Sequence, residues 1–192
     1  MLYRKNGFTL IEVVLTMAIS SIIAISLYSF FSGSMTKYFA MQEDSSNFAT
    51  LSTQIQRIAK VLRGTTDVRS AASTDLTVYA YFSPRDSIPS QIRYYVSGTQ
   101  LLADVTPLSA APPTGTPVTA QKKTYTIIYK LYSTTSVFTY LDSAGNTLTS
   151  LTNLRDVKGI KTTLSVPPQR GTSTKQTTIS LSVSLRNRKT NL

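Results

Sequence analysis

The sequence predicts an α+β fold in which one long N-terminal helix packs on an antiparallel β-sheet built from the rest of the chain. Three observations carry this prediction. Phe8 to Phe31 is an apolar run of 24 residues with a single charge, Glu12. Phe48, Leu51, Ile55, Ile58 and Leu62 then recur at spacings of 3, 4, 3 and 4, which places them on one stripe of a helix. Beyond Gly64 the apolar period shortens to two, the signature of half-buried strands.

The apolar run would measure about 36 Å as a helix at about 1.5 Å per residue, enough to cross a hydrocarbon core about 30 Å thick. It is longer than the apolar core of a secretory signal, which has about 7 to 15 residues. Arg4 and Lys5 precede the run and place its start on the cytoplasmic side, so that the chain beyond Lys37 is exported. From Phe8 to Leu62 a straight helix would extend about 80 Å. Its lower half suits the membrane, and its upper half presents the Phe48 to Leu62 stripe to a sheet of its own domain. Ser32-Gly33-Ser34 is the expected soft point, because glycine and serine are poor helix formers, and Gly64 suits the C′ position.

Strands are predicted from alternation. Leu76, Val78, Ala80 and Phe82 alternate with Thr77, Tyr79 and Tyr81, and Ile92, Tyr94 and Val96 repeat the pattern. Thr124 to Ser133 and Val137 to Leu141 are further strand segments. Asp142-Ser143-Ala144-Gly145-Asn146 reads as a turn after the second of these. Ile160 to Val166 and Thr177 to Leu185 complete the set, the last with Ile179, Leu181, Val183 and Leu185 in strict alternation. Thr106 to Pro117 holds four of the eight prolines and is expected to be an exposed loop. The eleven tyrosines fall mostly on strand positions, where cross-strand packing accounts for them.

Composition removes most enzymatic chemistry. Cysteine and histidine are absent, which excludes a disulfide, a Cys/His metal site, a histidine-based triad and a thiol nucleophile. The nine acids are scattered, and the one adjacent pair, Glu43-Asp44, reads as a solvated helix face. No catalytic residue, metal or cofactor is expected, and the chain is not read as an enzyme. The formal net charge is +11; without Arg4 and Lys5 there are 18 basic and 9 acidic residues, a balance of +9. Such a surface attracts polyanions. Lys122, Lys123, Arg186, Arg188 and Lys189 form its two local concentrations and are the candidate contacts to DNA or another polyanion. The alternative is that the cations are simply spread around the domain.

Glu12 needs a reason to be where it is. On insertion scales a carboxylate near the centre of a membrane helix costs about 2.5 to 3.5 kcal/mol, so an acid there marks a functional group with a partner, and the candidate partner is an amine. Gly7-Phe8-Thr9-Leu10-Ile11-Glu12-Val13, behind Arg4 and Lys5 and ahead of the apolar run, closely resembles the processing signal of type IV prepilins. The resemblance implies that a membrane prepilin peptidase cuts between Gly7 and Phe8 and that Phe8 is N-methylated. It implies that Glu12 pairs with the terminal amine of a neighbouring subunit during assembly. Val137 to Asp142, Gly145, Leu154, Val157, Ile160 and Ser182 to Asn187 resemble the C-terminal half of minor pilins of the PilW-like and J-type pseudopilin kind.

The domain organisation expected from these readings is a leader at 1–7, a transmembrane and assembly helix at 8–33, an amphipathic helical half at 34–64 and an exported β-rich globular domain at 65–192. The resemblance implies a lollipop-like pilin fold. It further implies a minor subunit of a type IV pilus, pseudopilus or competence pilus. Its partners would be other pilin subunits, the prepilin peptidase, the membrane and the pilus assembly platform. The subunit would wait as a single-pass protein of the cytoplasmic membrane with its C-terminal domain outside, then enter a cell-surface filament. The second function class is a DNA- or polyanion-binding module at a pilus tip, serving DNA uptake or adhesion.

Overall fold

The computed structural model describes residues 7–132, 136–168 and 176–185. One α-helix, α1, spans Leu10–Arg63. Eight strands follow: β1 (Asp67–Ala71), β2 (Asp75–Ala80), β3 (Ser90–Ser97), β4 (Gln100–Pro107), β5 (Lys123–Ile128), β6 (Phe138–Leu141), β7 (Gly159–Val166) and β8 (Thr177–Ser184). The chain divides into two compact units, Met1–Glu43 and Asp44–Leu192.

The first unit is the N-terminal stretch of α1. Its large apolar side chains, from Phe8 through Met41, are exposed. Among the described residues α1 is the one helix long and apolar enough to cross a membrane. The helix runs unbroken through Ser32-Gly33-Ser34, where a soft point was expected. The hydroxyls explain its tolerance of polar residues. Thr16 donates to the Val13 carbonyl at 2.9 Å, Ser21 to Met17 at 2.8 Å, Ser26 to Ile22 at 2.9 Å and Thr36 to Ser32 at 2.9 Å. Each donor is satisfied within its own helix, as a hydroxyl in apolar surroundings must be.

In the second unit the helical stripe is buried, with Leu51, Ile55, Ile58, Ala59, Val61 and Leu62 in one cluster with the strands. Burying each large aliphatic side chain contributes about 1.5 to 3 kcal/mol. Phe48 departs from the expected stripe, being 57% exposed. It lines a shallow surface pocket with Asp44, Ser45, Gln176, Thr177 and Thr178. The helix ends at Arg63 as expected, but Gly64 is not in the left-handed region. The end closes instead by short-range bonds, Gly64 N–H to the Val61 carbonyl at 3.0 Å and Thr65 N–H to Leu62 at 3.1 Å.

Strands β1 to β5 form an antiparallel meander in sequential order, and β6 to β8 form a second antiparallel sheet. The apolar alternation seen in the sequence lines the helix side: Leu76, Val78 and Ala80 of β2, Ile92 and Tyr94 of β3, and Ala103 and Val105 of β4 are all buried. Burial of the Tyr94 phenol pushes its pKa well up, which keeps it neutral. Thr77 and Tyr79, on the opposite side of β2, are buried as well. The Arg69 guanidinium lies over the Tyr79 ring at 4.5 Å and covers it.

The sequence had not indicated β1 or β4. A two-residue loop, Gly98-Thr99, joins β3 to β4; Gly98 has φ +57°, a value suited to the first central position of a type II′ turn. Thr106 and Pro107, expected in a loop, belong to β4, and the pairing continues as Leu108 bridges Pro117 and Ser109 N–H donates to the Thr116 carbonyl at 2.9 Å. The segment expected from Thr124 to Ser133 is a strand only to Ile128, and Ser133 lies outside the described residues. The two sheets are joined through Ser73, whose carbonyl accepts from Val137 and Phe138 N–H at 2.9 Å each, and through Tyr140, whose hydroxyl donates to the Ala72 carbonyl at 2.8 Å. The turn after β6 is held by Asp142, whose carboxylate accepts from Ala144 N–H and Asn146 N–H at 2.8 Å each, with Gly145 at φ +88°. Those bonds, the one from Asn146 N–H foremost, hold the Asp142 carboxyl below the usual range.

Candidate functional site

Gly7, Phe8 and Thr9 precede the helix in non-helical backbone and are exposed. Among the described residues no group lies within 4 Å of where a Cβ on Gly7 would project, and Phe8 is 84% exposed. The Gly7–Phe8 peptide bond is therefore open to another protein. The helix begins immediately after it, through a reciprocal arrangement between Thr9 and Glu12. Glu12 Oε2 accepts from Thr9 N–H at 3.0 Å and from the Thr9 hydroxyl at 3.1 Å, while Glu12 N–H donates to Thr9 Oγ1 at 3.4 Å.

This is a capping box, with threonine at the N-cap and glutamate three residues on. It also sets the carboxylate at the positive end of the helix dipole. The cap engages Oε2 alone. Oε1 makes no hydrogen bond among the described residues and remains open to a cation. Thr9 was not singled out in the sequence, although Thr9-Leu10-Ile11-Glu12 has the spacing of a capping box before an apolar run.

The basic candidates fare differently from one another. Lys122 Nζ lies 2.6 Å from Asp104 Oδ2, and Asp104 Oδ1 accepts from the Thr124 hydroxyl at 2.6 Å and the Tyr95 hydroxyl at 3.4 Å. Asp104 is 5% exposed. Burial raises its pKa, but the bonds from Lys122 and Thr124 and the charges of Lys122 and Arg93 outweigh that, and the carboxyl sits below its ordinary value. Beside it, Arg93 Nε donates to Asp75 Oδ2 at 2.8 Å; that hydrogen bond raises the guanidinium pKa against the opposing effect of burial. The charge of Lys122 is thus matched on the outer side of the sheet. Lys123 points to the other side, in register with Val105, and is exposed. Arg186, Arg188 and Lys189 lie outside the described residues.

Residues 2–28 match the family model of the prokaryotic N-terminal methylation motif. With the exposed Gly7–Phe8 bond, the capped Glu12 and the apolar helix that follows, the match makes the N-terminal region of the chain similar to that of type IV prepilins. The motif is that of pilin-type chains that are processed by prepilin peptidase and associate with other pilin subunits, and α1 is long and apolar enough to cross a membrane. No curated protein matches the chain.

Proposed function

We propose that the chain is a minor subunit of a type IV pilus, pseudopilus or competence pilus. Prepilin peptidase cuts between Gly7 and Phe8, Phe8 is N-methylated, and the subunit is drawn through the assembly platform into a filament by its N-terminal helix. Before assembly the cytoplasmic membrane holds the first stretch of α1, with the globular unit outside. Nothing in this role asks the chain itself to catalyse a reaction. The minor role rests on the likeness of Val137 to Asp142 and of the C-terminal strand to minor pilins.

The observation that carries the reading is the geometry at Glu12. A membrane-embedded carboxylate with one oxygen satisfied by Thr9 and the other open can wait as a lone acid, yet still gain from meeting an amine in apolar surroundings. Cleavage after Gly7 creates such an amine on Phe8 of every processed subunit. Glu12→Leu is expected to leave membrane insertion and cleavage intact while lowering the fraction of processed subunit in sheared filaments. Equal incorporation of Glu12→Leu and wild type would show that the carboxylate does not register the subunit. Glu12→Asp, one methylene shorter, should fall between them.

A further inference from the structure

We propose that the globular unit binds single-stranded nucleic acid along the C-terminal end of α1, at a groove the sequence does not single out. The argument starts from where the acids are spent. On the outer side of the five-stranded sheet three acids meet three bases: Asp67 with Arg69, Asp75 with Arg93, and Asp104 with Lys122. Asp142 holds a turn through backbone N–H groups, Asp156 accepts from the Asn153 amide, and Glu12 caps the helix. The excess positive charge is left elsewhere, and one such place is built around aromatic rings.

Arg57, Lys60, Val61, Tyr81, Phe82 and Pro84 line a groove of about 430 Å³ between the last turns of α1 and the chain leaving β2. The Arg57 guanidinium lies 5.1 Å from the Phe82 ring centroid, and Phe82 stacks on Tyr125 at 5.1 Å. Lys123 sits two residues before Tyr125 on the same side of β5, and Arg63 extends the row of bases along the helix. Among the described residues none of Arg57, Lys60, Arg63 and Lys123 makes a salt bridge. The acid on the adjoining loop, Asp86, accepts from Ser83 N–H at 2.8 Å. Tyr81, which lines the groove with Arg57 and Lys60, is 43% exposed, and Tyr125, stacked on Phe82, is 37% exposed, so both present ring surface to solvent.

Cations alone would suit any polyanion; open rings among them suit one that carries planar bases, since a base can stack on a tyrosine while the bases of the protein neutralise its phosphates. The site is tested on the unassembled full-length chain in a zwitterionic detergent. The probes are a labelled oligothymidylate and a deoxyribose-phosphate polymer of the same length without bases.

The expected result is binding to oligothymidylate that weakens with salt and is about tenfold tighter than to the abasic polymer. Lys60→Gln with Arg63→Gln, both exposed and outside the core, should lower the salt slope by about 1.4, at about 0.7 per phosphate contact on a single strand. Tyr81→Ala should remove most of the preference for the polymer with bases, and Lys161→Gln, on β7 of the other sheet, should change nothing. Thermal melting of each variant shows whether the fold is kept. Equal affinity for the two polymers would overturn the nucleic-acid assignment. A slope lowered as much by Lys161→Gln as by the Lys60/Arg63 pair, or no binding at low salt, would overturn the site.

Discussion

The two stretches of α1 share one helix and one kind of side chain, yet their apolar residues meet opposite fates. Up to Met41 the large apolar side chains are exposed all round, whereas from Leu51 to Leu62 a stripe is buried and its other positions carry Gln54, Gln56, Arg57, Lys60 and Arg63. A helix apolar on every side calls for a solvent that is itself apolar, and a helix with one apolar stripe calls for a protein surface. Each of the two units also has its characteristic way of keeping an acid. Glu12 is satisfied locally by a residue three positions earlier, while Asp104 is satisfied by groups brought together across three strands. Local satisfaction lets an acid travel with its helix; long-range satisfaction ties it to one folded domain.

The comparison breaks most readily within the buried stretch. Leu51→Asp or Ile55→Asp should destabilise the globular unit by about 4 kcal/mol or more, because each buries an unpaired charge, and in practice should abolish its cooperative melting. Phe48→Asp, one turn earlier on the same sequence stripe, should change stability by no more than about 0.5 kcal/mol, since the Phe48 side chain is already in solvent. Melting of the full-length chain followed by tyrosine circular dichroism decides between them. If Phe48→Asp melts as low as Leu51→Asp, the buried stretch starts earlier than the structure shows.

Removing a buried side chain without adding charge should cost less. Ile58→Ala is expected to destabilise by about 2 to 5 kcal/mol, and Ile23→Ala, in the exposed stretch, to leave that same transition unmoved. A smaller effect tests the long-range acid. Asp104→Asn weakens the hold on Lys122 and should cost about 1 to 3 kcal/mol at neutral pH. The folded carboxyl lies below its unfolded value of about 3.9, so its contribution is fully present above that pH and is lost as pH falls through the folded value. The wild type should therefore lose more stability than the variant between neutral pH and acid. Parallel pH profiles would show that Asp104 contributes nothing as a charge. Smallest is the cap: Thr9→Ala should weaken the first helical turn by about 1 kcal/mol, seen as faster hydrogen exchange of the amides after Leu10.

How much of this was legible in the sequence depended on whether the deciding interaction was local. The helix, its membrane-length stretch and most of its buried stripe were legible, because period and length are properties of adjacent residues. The second-sheet strands were also found from alternation, with Val183 of β8 and Leu185 just beyond it buried. Strand β1 was missed because a shift of register between Val68 and Ser70 breaks its alternation, leaving Val68 as its one buried residue. Strand β4 was missed because Asp104 interrupts the apolar series, and its reason for being buried lies in Lys122, just before β5, and Thr124 on β5. For the same reason Lys122 looked like a free cation. Phe48 fitted the stripe by spacing, but it is 57% exposed, beside the polar Gln176, Thr177 and Thr178. The heptapeptide singles out Gly7, Phe8 and Glu12 as candidate site residues, and the capping role of Thr9 was readable from its three-residue spacing to Glu12.

The measurement that bears most directly on the account is the intact mass of the protein purified from membranes of cells that express a prepilin peptidase. The account predicts a chain that begins at Phe8, lacking the first seven residues and carrying one added methyl group on its terminal nitrogen. It predicts in addition that replacing Gly7 by a bulky residue leaves the full-length precursor in the membrane. A mass corresponding to a start at Met1 in the wild type, or to cleavage after a small residue beyond Phe31, would contradict it.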